Sequence, residues 1–409
     1  MPATRELREV LVVGAGIAGI RAAETLRQEG FDGELTIVGD ERHAPYHRPP
    51  LSKKLLTGEV HRAGVDIAPQ FDLDARVWRS ASAVSLDATA RTVHLRDDGR
   101  DLSLRFDGLV IATGASAREW PGGPVPDGVM MLRTVDDCLA IRDRLAARPR
   151  VVVVGGGFIG AEVAASCRSR GLDVALVQRA SSPLLSVLGE ELAPRWADLH
   201  REHGVDVRVG VGVDSFIGGR HVAGVRLTDG THLAADLVVI GLGVTPATDW
   251  LRGSGLRTDD GVLCDATGAA EGAEGIVAAG DVATWWHPLY ERHLRIEHWD
   301  HAASQGEAAA RTLLAGPGNA AAYDEVPYFW SDQYEVKLQM LGVPIDYDAV
   351  EVVEGDVAGW EFVAAYGRGG RTTAVLATIP GRVHAYRDAI SGGAAFPPAP
   401  AVSSASVSV

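Results

Sequence analysis

Two glycine-rich turns constrain this chain more than any other feature. The run VLVVGAGIAG (residues 10–19) places Gly14, Gly16 and Gly19 at the spacing G-x-G-x-x-G directly after an apolar strand, and the pattern recurs at Gly155, Gly157 and Gly160 after Val151–Val154. In such a strand-turn-helix the first glycine makes the tight turn, the second lets backbone approach a pyrophosphate, and the third lets helix pack on strand. The helix N-terminus then turns its unpaired N–H groups toward phosphate. A single turn of this kind is common, whereas two with strand and helix intact predict two dinucleotide-binding units, with Ala15, Phe158 and Ile159 inside the turns as further contacts. After the first helix the strand ELTIVGD ends at Asp40, about twenty residues beyond Gly19, where a carboxylate accepts both hydroxyls of an adenosine ribose. The matching strand of the second unit, DVALV, ends in Gln178 followed by Arg179.

A length of 409 residues suggests about two to four domains, and a 46% hydrophobic content is ample for buried cores. The N-terminus MPATRELREV is charged, and no uninterrupted apolar run approaches the ~18 residues of a membrane span, so the cytoplasm is the expected compartment. Cys138, Cys167 and Cys264 form no C-x-x-C pair, which argues against a disulfide framework, a zinc site, a protein-bound iron–sulfur cluster and a dithiol redox centre. A formal charge of −15 disfavours nucleic acid and anionic membranes as partners.

Along the chain, the loop HAPYHRPPLSKKLL (residues 43–56) is stiffened by two prolines and leaves the ligand edge of the first sheet, so Arg48 and Lys53 read as cofactor contacts. Residues 81–86 and 92–95 read as strands, the latter joined by DDGR to SLRF in a hairpin. FDGLVIATGA (residues 106–115) is a buried strand ending in the small residues Thr113 and Gly114, which permit close approach to a ligand. Pro- and Gly-rich residues 120–126 mark a crossover between domains, and residues 133–145 have helical periodicity. Glu162, on the opening turn of the second motif's helix, either balances the positive helix end or faces the ligand. LVVIGLGVTP, with Gly243, and GIVAAGDVAT, with Asp281, are two more apolar strands closing in glycine turns. His287, His293, His298 and His301 lack the spacing of a metal site; the stretch from about His301 to Leu314 reads as an Ala-rich helix. Past Asn319 the pattern changes to that of an antiparallel α+β domain, and from Ser391 the chain reads as a disordered, low-complexity tail, residues 391–409.

PYHRPPLSK, IATGA, GGGFIGAEVA, AAGDVA and YFWSDQY together resemble the FAD-containing, nicotinamide-dependent ferredoxin reductases that supply two-iron ferredoxins to monooxygenases and ring-hydroxylating dioxygenases, the family of putidaredoxin reductase. The resemblance runs to about residue 385. It implies an α/β fold with two Rossmann-like domains and a small C-terminal α+β domain: a discontinuous FAD domain (1–115 and 245–325), an NAD(P)H domain (116–244) and a C-terminal domain (326–390). It implies that Asp40 holds the FAD ribose, Arg48 and Lys53 the flavin side, Ala83 and Arg133 cofactor contacts, and Asp281 the ribityl or phosphate region. It further implies that Trp299 and Trp330 lie near the isoalloxazine and that Glu162 lies near the nicotinamide, in reach of Lys53. Lys53, Glu162 and Trp330 are the implied catalytic residues. The implied activity is hydride transfer from NADH, or from NADPH given Gln178 and Arg179, to non-covalent FAD, then single-electron transfer to a two-iron, two-sulfur ferredoxin that serves a cytochrome or Rieske-type oxygenase. Arg62, Arg311 and Lys337 are candidates for a positive docking patch. Two other classes share the plan: thiol-dependent flavin reductases, which need a redox cysteine beside the flavin, and flavoproteins acting as redox or interaction modules like apoptosis-inducing factor.

Overall fold

The computed structural model describes residues 7–400. The mixed α/β chain divides into two compact units: a first of residues up to Arg48, Arg62–Ser116 and Val244–Glu325, and a second of Pro49–His61, Ala117–Gly243 and Val326 onward.

The first unit is built on a wholly parallel five-stranded sheet, ordered Ile276–Ala278, Gly108–Ile111, Glu9–Val13, Glu34–Val38, Ala75–Trp78. Its inner strands are continuous apolar runs, as strands covered on both faces must be. Strand order reverses between Glu9–Val13 and Gly108–Ile111, which run parallel: the chain builds outward on one side of Glu9–Val13 and then returns to its other side, the place where doubly wound folds open a ligand crevice. The helices Ile17–Gln28 and Trp299–Ala315 share a core with the sheet through Val10, Val12, Ala22, Leu26, Val110, Ala310 and Leu313. The second helix begins at Trp299, two residues before the predicted start, and is Ala-rich for a steric reason. A Cβ at Gly306 would collide with the Ala18 carbonyl, so small residues let the two helices touch. Strands Ala81–Asp87, Thr92–Asp97 and Arg100–Arg105 form an antiparallel sheet beyond the predicted hairpin.

In the second unit a second wholly parallel sheet is ordered Asp206–Val209, Val174–Gln178, Val151–Val154, Leu237–Ile240, Val129–Met131. The C-terminal strands Tyr328–Gln333, Val336–Gly342, Arg371–Ala377, Glu361–Arg368 and Ala349–Asp356 make an antiparallel sheet in that order. Its inner face shares one core with the helix Leu185–Glu202: Phe329, Leu338, Met340, Phe362 and Tyr366 meet Leu188, Leu192, Trp196 and Leu199. The C-terminal sheet therefore belongs to the second unit. Residues 49–61 belong there too, against the expected boundary. The Cys138 thiol donates to Leu51 O (3.1 Å), Ser166 Oγ to Ser52 O (2.7 Å) and Arg170 Nη1 to Leu56 O (3.0 Å).

The expectation of disorder from Ser391 is corrected for residues 391–400. The helix Arg387–Ser391 leads into backbone pairing: Thr372 N donates to Ala394 O (2.8 Å), Phe396 N to Gly370 O (2.9 Å), and Pro398 is buried. The Phe396 ring lies where a Cβ on Gly367 would stand. Residues 401–409 lie outside the described residues. Phe396→Ala should cost about 1–2 kcal/mol in a denaturant titration; an unshifted midpoint would show that the segment does not pack.

Candidate functional site

The two glycine turns are built alike. Gly14 (φ +117°) and Gly155 (φ +102°) occupy backbone that favours glycine, and a Cβ on either would strike a carbonyl at the end of the neighbouring strand, that of Ala112 or that of Gly241. Gly14 N donates to Val38 O (2.7 Å) and Gly155 N to Val177 O (2.8 Å), so each turn is tied to the strand on its other side. Gly19 and Gly160 lie against the carbonyls of Gly14 and Gly155, with no room for a side chain.

Gly16 and Gly157 differ from the rest: a Cβ on either meets no atom within 4 Å, so protein packing does not demand glycine there. Each is the N-cap of its helix, Ile17–Gln28 or Phe158–Ser169, and neither helix has a side-chain cap or an acidic residue in its first turn. An open cradle in front of uncapped N–H groups fits a diphosphate. It is present once in each unit.

Beside the first cradle, Asp40 is exposed just past the strand Glu34–Val38, and its neighbour Gly39 lies against the Ala15 methyl. The next acid, which the sequence reading passed over, is more tightly engaged. Glu41 accepts from Tyr46 Oη (2.5 Å) and Arg48 Nη2 (2.6 Å), and Arg48 Nη1 donates to Tyr46 Oη (3.0 Å). Burial disfavours the Arg48 charge, while the electrostatic influence of Tyr46, Glu41 and Asp281 more than restores it. Asp281 follows Gly280, whose N–H donates to Gln305 Oε1 (2.8 Å), a buried bond that ties this strand end to the helix Trp299–Ala315. Thr113 Oγ1 donates to Ala247 O (2.9 Å), and Ala247 N to the carbonyl of Gly114 (2.9 Å). The Trp299 ring lies 5.2 Å from that of His47. Ala83 is half-buried at an irregularity in the three-stranded sheet, apart from these contacts.

In the second unit Gln178 ends its strand and accepts through Oε1 from Gly156 N (3.0 Å). Arg179 is exposed, its stem lying along Gly212. Phe158 packs edge-on against Phe329 (4.9 Å between centroids), Ile159 is half-buried, and Gly243 (φ +87°) accepts from Arg118 N (3.0 Å). Arg133 directly precedes the capping box Thr134–Asp137 of the helix Val135–Leu145.

Glu162 is the fifth residue of its helix, past the opening turn where it was expected, and its side chain points inward at 5% exposure. The carboxylate pairs with Lys53 Nζ (2.8 Å) and accepts from Ser52 Oγ (2.5 Å) and Ser331 Oγ (2.6 Å). Removing one partner of so buried a pair costs about 3–5 kcal/mol, which makes Lys53–Glu162 a fixed feature of this unit. Trp330, adjacent to Ser331, is half-buried and runs nearly parallel to Tyr328 (6.2 Å, 23°).

Two expectations change. Arg62 is ion-paired with Asp66, and Arg311 with Glu29 (3.1 Å) and Glu307 (3.6 Å), so neither offers a free positive charge. Among the described residues no group of three or more His, Cys, Asp or Glu is arranged to hold a metal. His301 instead stacks on Trp285 (4.6 Å) and meets the Tyr323 hydroxyl (3.2 Å).

Residues 8–306 match the family model described as pyridine nucleotide-disulphide oxidoreductase, and residues 328–407 the model described as reductase C-terminal. The chain is 38% identical over 391 residues to the ferredoxin–NAD(+) reductase component of the anthranilate 1,2-dioxygenase system of Burkholderia cepacia, covering 94% of each chain. It is 35% identical to putidaredoxin reductase of Pseudomonas putida, over 90% of this chain and 87% of that one. The solved covalent putidaredoxin reductase–putidaredoxin complex matches with a TM-score of 0.88 at 33% identity, over 94% of this chain and 93% of that one.

The different surroundings of the glycines separate ligand effects from folding effects. Gly157→Val should leave the melting temperature within a few degrees yet abolish nicotinamide dinucleotide binding by calorimetry. Gly160→Ala should cost 2 kcal/mol or more, roughly the cost of overpacking. Equal behaviour of the two variants would show that the cradle at Gly157 is not a ligand site.

Proposed function

The chain belongs to the pyridine nucleotide-disulphide oxidoreductase family, and from that premise we propose that it is a ferredoxin reductase, passing electrons from NADH to a two-iron, two-sulfur ferredoxin that feeds a cytochrome or Rieske-type oxygenase. The observation that carries this reading is one phosphate cradle in each unit, combined with three cysteines that are all free and buried. Burial pushes the Cys138 and Cys167 thiols up to about 12 and Cys264 higher still, so none is a thiolate at working pH. That disfavours the thiol-dependent reductases of the same family.

FAD, when bound, takes up two electrons together as hydride and releases them singly, the property that joins a nicotinamide donor to a one-electron acceptor. In this reading the first unit holds it without a covalent bond. Gly14, Gly16, Gly19 and the N-terminus of Ile17–Gln28 take the pyrophosphate, Asp40 the ribose hydroxyls, and Arg48, Thr113, Gly114, Asp281 and Trp299 the remainder. The second unit takes the nicotinamide dinucleotide on Gly155, Gly157, Gly160 and the N-terminus of Phe158–Ser169, with Gln178 at the adenosine ribose. Lys53 and Glu162 align the nicotinamide end, where a misplacement of about 1 Å costs some hundredfold in rate. Trp330 screens the reacting centre from water.

No helix among the described residues is long and apolar enough to cross a membrane, and a reductase fed by the soluble nicotinamide pool works in the cytoplasm.

Mixing the FAD-loaded protein with NADH and a panel of ferredoxins should give catalytic ferredoxin reduction. The same rate should persist when Cys138, Cys167 and Cys264 are all replaced by Ala. A folded, flavin-loaded triple variant that delivers no electrons would support the thiol-dependent class.

Gln178 governs the donor. Its carboxamide hydrogen-bonds ribose hydroxyls yet does not repel a 2′-phosphate, and Arg179 next to it tolerates one. Gln178→Glu still accepts from Gly156 N, so the turn survives, and KM for NADPH should rise about tenfold with KM for NADH nearly unchanged. If the wild type already excludes NADPH to the same degree, discrimination arises elsewhere.

A further inference from the structure

The buried Glu162 carboxylate is the end of a hydrogen-bond relay that begins in the C-terminal sheet. Ser331 Oγ lies 2.6 Å from Glu162 Oε1, Gln333 Nε2 3.1 Å from Ser331 Oγ, His200 Nε2 3.1 Å from Gln333 Oε1, and Tyr334 Oη 3.0 Å from His200 Nδ1. Glu162, Ser331, Gln333 and His200 are all 5% exposed or less, so the three bonds that join them are shielded from bulk water, while Tyr334 at the far end is half-buried.

The direction of every bond follows from the carboxylate. An ionised carboxylate only accepts, so the single Ser331 hydroxyl proton points to Glu162. Ser331 Oγ must then accept from Gln333, which puts the carboxamide nitrogen on the serine side and its oxygen toward His200. That oxygen takes a proton from His200 Nε2. Burial pushes His200 down to about 4, so the ring is neutral at working pH, carries its one proton on Nε2, and accepts at Nδ1 from Tyr334. Every donor in the relay aims at Glu162.

We propose that Ser331 is a positioning residue for the nicotinamide-side chemistry: the relay Tyr334–His200–Gln333–Ser331 fixes the Glu162 carboxylate, and through it the direction of the Lys53 ammonium. Ser52 holds the other carboxylate oxygen, and Ser52 is itself pinned through its carbonyl by Ser166 Oγ (2.7 Å). Each Glu162 oxygen is thus held by a hydroxyl on a different segment, and Lys53 completes the set. The C-terminal sheet contributes to the second unit's site by this means, independently of Trp330.

The inference rests on the reductase reading, and stopped-flow reduction of the FAD-loaded protein by NADH tests both. In the wild type the flavin should be reduced; if neither NADH nor NADPH reduces it, the reductase reading falls and the relay's role with it. Given a reactive wild type, Ser331→Ala should lower the limiting reduction rate about tenfold, the size of one charge-assisted hydrogen bond, with the Kd for NADH changed less than about twofold. In a Glu162→Gln background the same substitution should cost less than about twofold, because the group it acts through is already altered. Equal losses in the two backgrounds, or a Ser331→Ala enzyme at the wild-type rate, overturn the proposal and leave the function intact. Should Ser331→Ala fail to load FAD, Gln333→Met carries the same cycle, with a loss of about threefold expected in the wild-type background alone. Nitrogen NMR of the imidazole gives an independent check: His200 should be neutral and protonated at Nε2, and an Nδ1-protonated ring would reverse the relay and refute it.

Discussion

Everything in this molecule depends on a close approach that only glycine permits. At the end of each central parallel strand the chain turns under the carbonyl of the neighbouring strand, Ala112 above Gly14 and Gly241 above Gly155, with no space for a Cβ. A turn so tight delivers the strand directly into a helix whose N-cap is also glycine, so no side chain is available to satisfy the first N–H groups. A Ser or Asp cap would contribute about 0.5–2 kcal/mol to each helix. Both helices forgo it, and the buried parallel sheets beneath carry the stability. What remains at each helix end is an electropositive cradle of the kind that suits a phosphate.

That constraint is local, and so it was legible. The glycine spacing, the apolar strand before it and the helix after it lie within about twenty residues, and continuous apolar runs signalled strands covered on both faces. Long-range relations were not legible. The C-terminal sheet read as its own α+β domain, as its separate family match bears out, but nothing in its pattern told that its inner face closes its core on Trp196 and Leu199 of a helix more than a hundred residues earlier. Residues 391–400 read as disordered because Ser, Gly, Ala and Pro dominate them. Their order comes from backbone bonds to Gly370 and Thr372, and composition carries no record of those.

The candidate sites divide in the same way. Glycines, strand-end residues such as Asp40 and Gln178, and the small residues Thr113 and Gly114 announce themselves by position in a motif. Glu41 and Ser52 gave no such signal, since an acid after Asp40 and a serine before Lys53 look like solvated loop residues until the chain folds back. Gln178 held a subtler lesson. Its type suggested only the loss of a carboxylate, whereas its bond to Gly156 N shows that the side chain also braces the turn, work that either an amide or a carboxylate oxygen performs.

The shared core of the second unit has a physical reason in Glu162. A buried carboxylate needs several donors at hydrogen-bond distance, and one element rarely supplies them all. Here Ser52 and Lys53 come from the short segment 49–61, Ser331 from the C-terminal sheet, and the acid from the dinucleotide helix. Donors on two separate segments hold a carboxylate on a third only if the three are rigid with respect to one another to within about 0.5 Å. Packing the C-terminal sheet onto the helix Leu185–Glu202 and fastening residues 49–61 through Leu51, Ser52 and Leu56 meet that requirement. His200 bonds to Gln333 at the end of a strand of the sheet and to Tyr334 in the turn that follows, so the helix that closes the hydrophobic core also anchors the polar relay to Glu162.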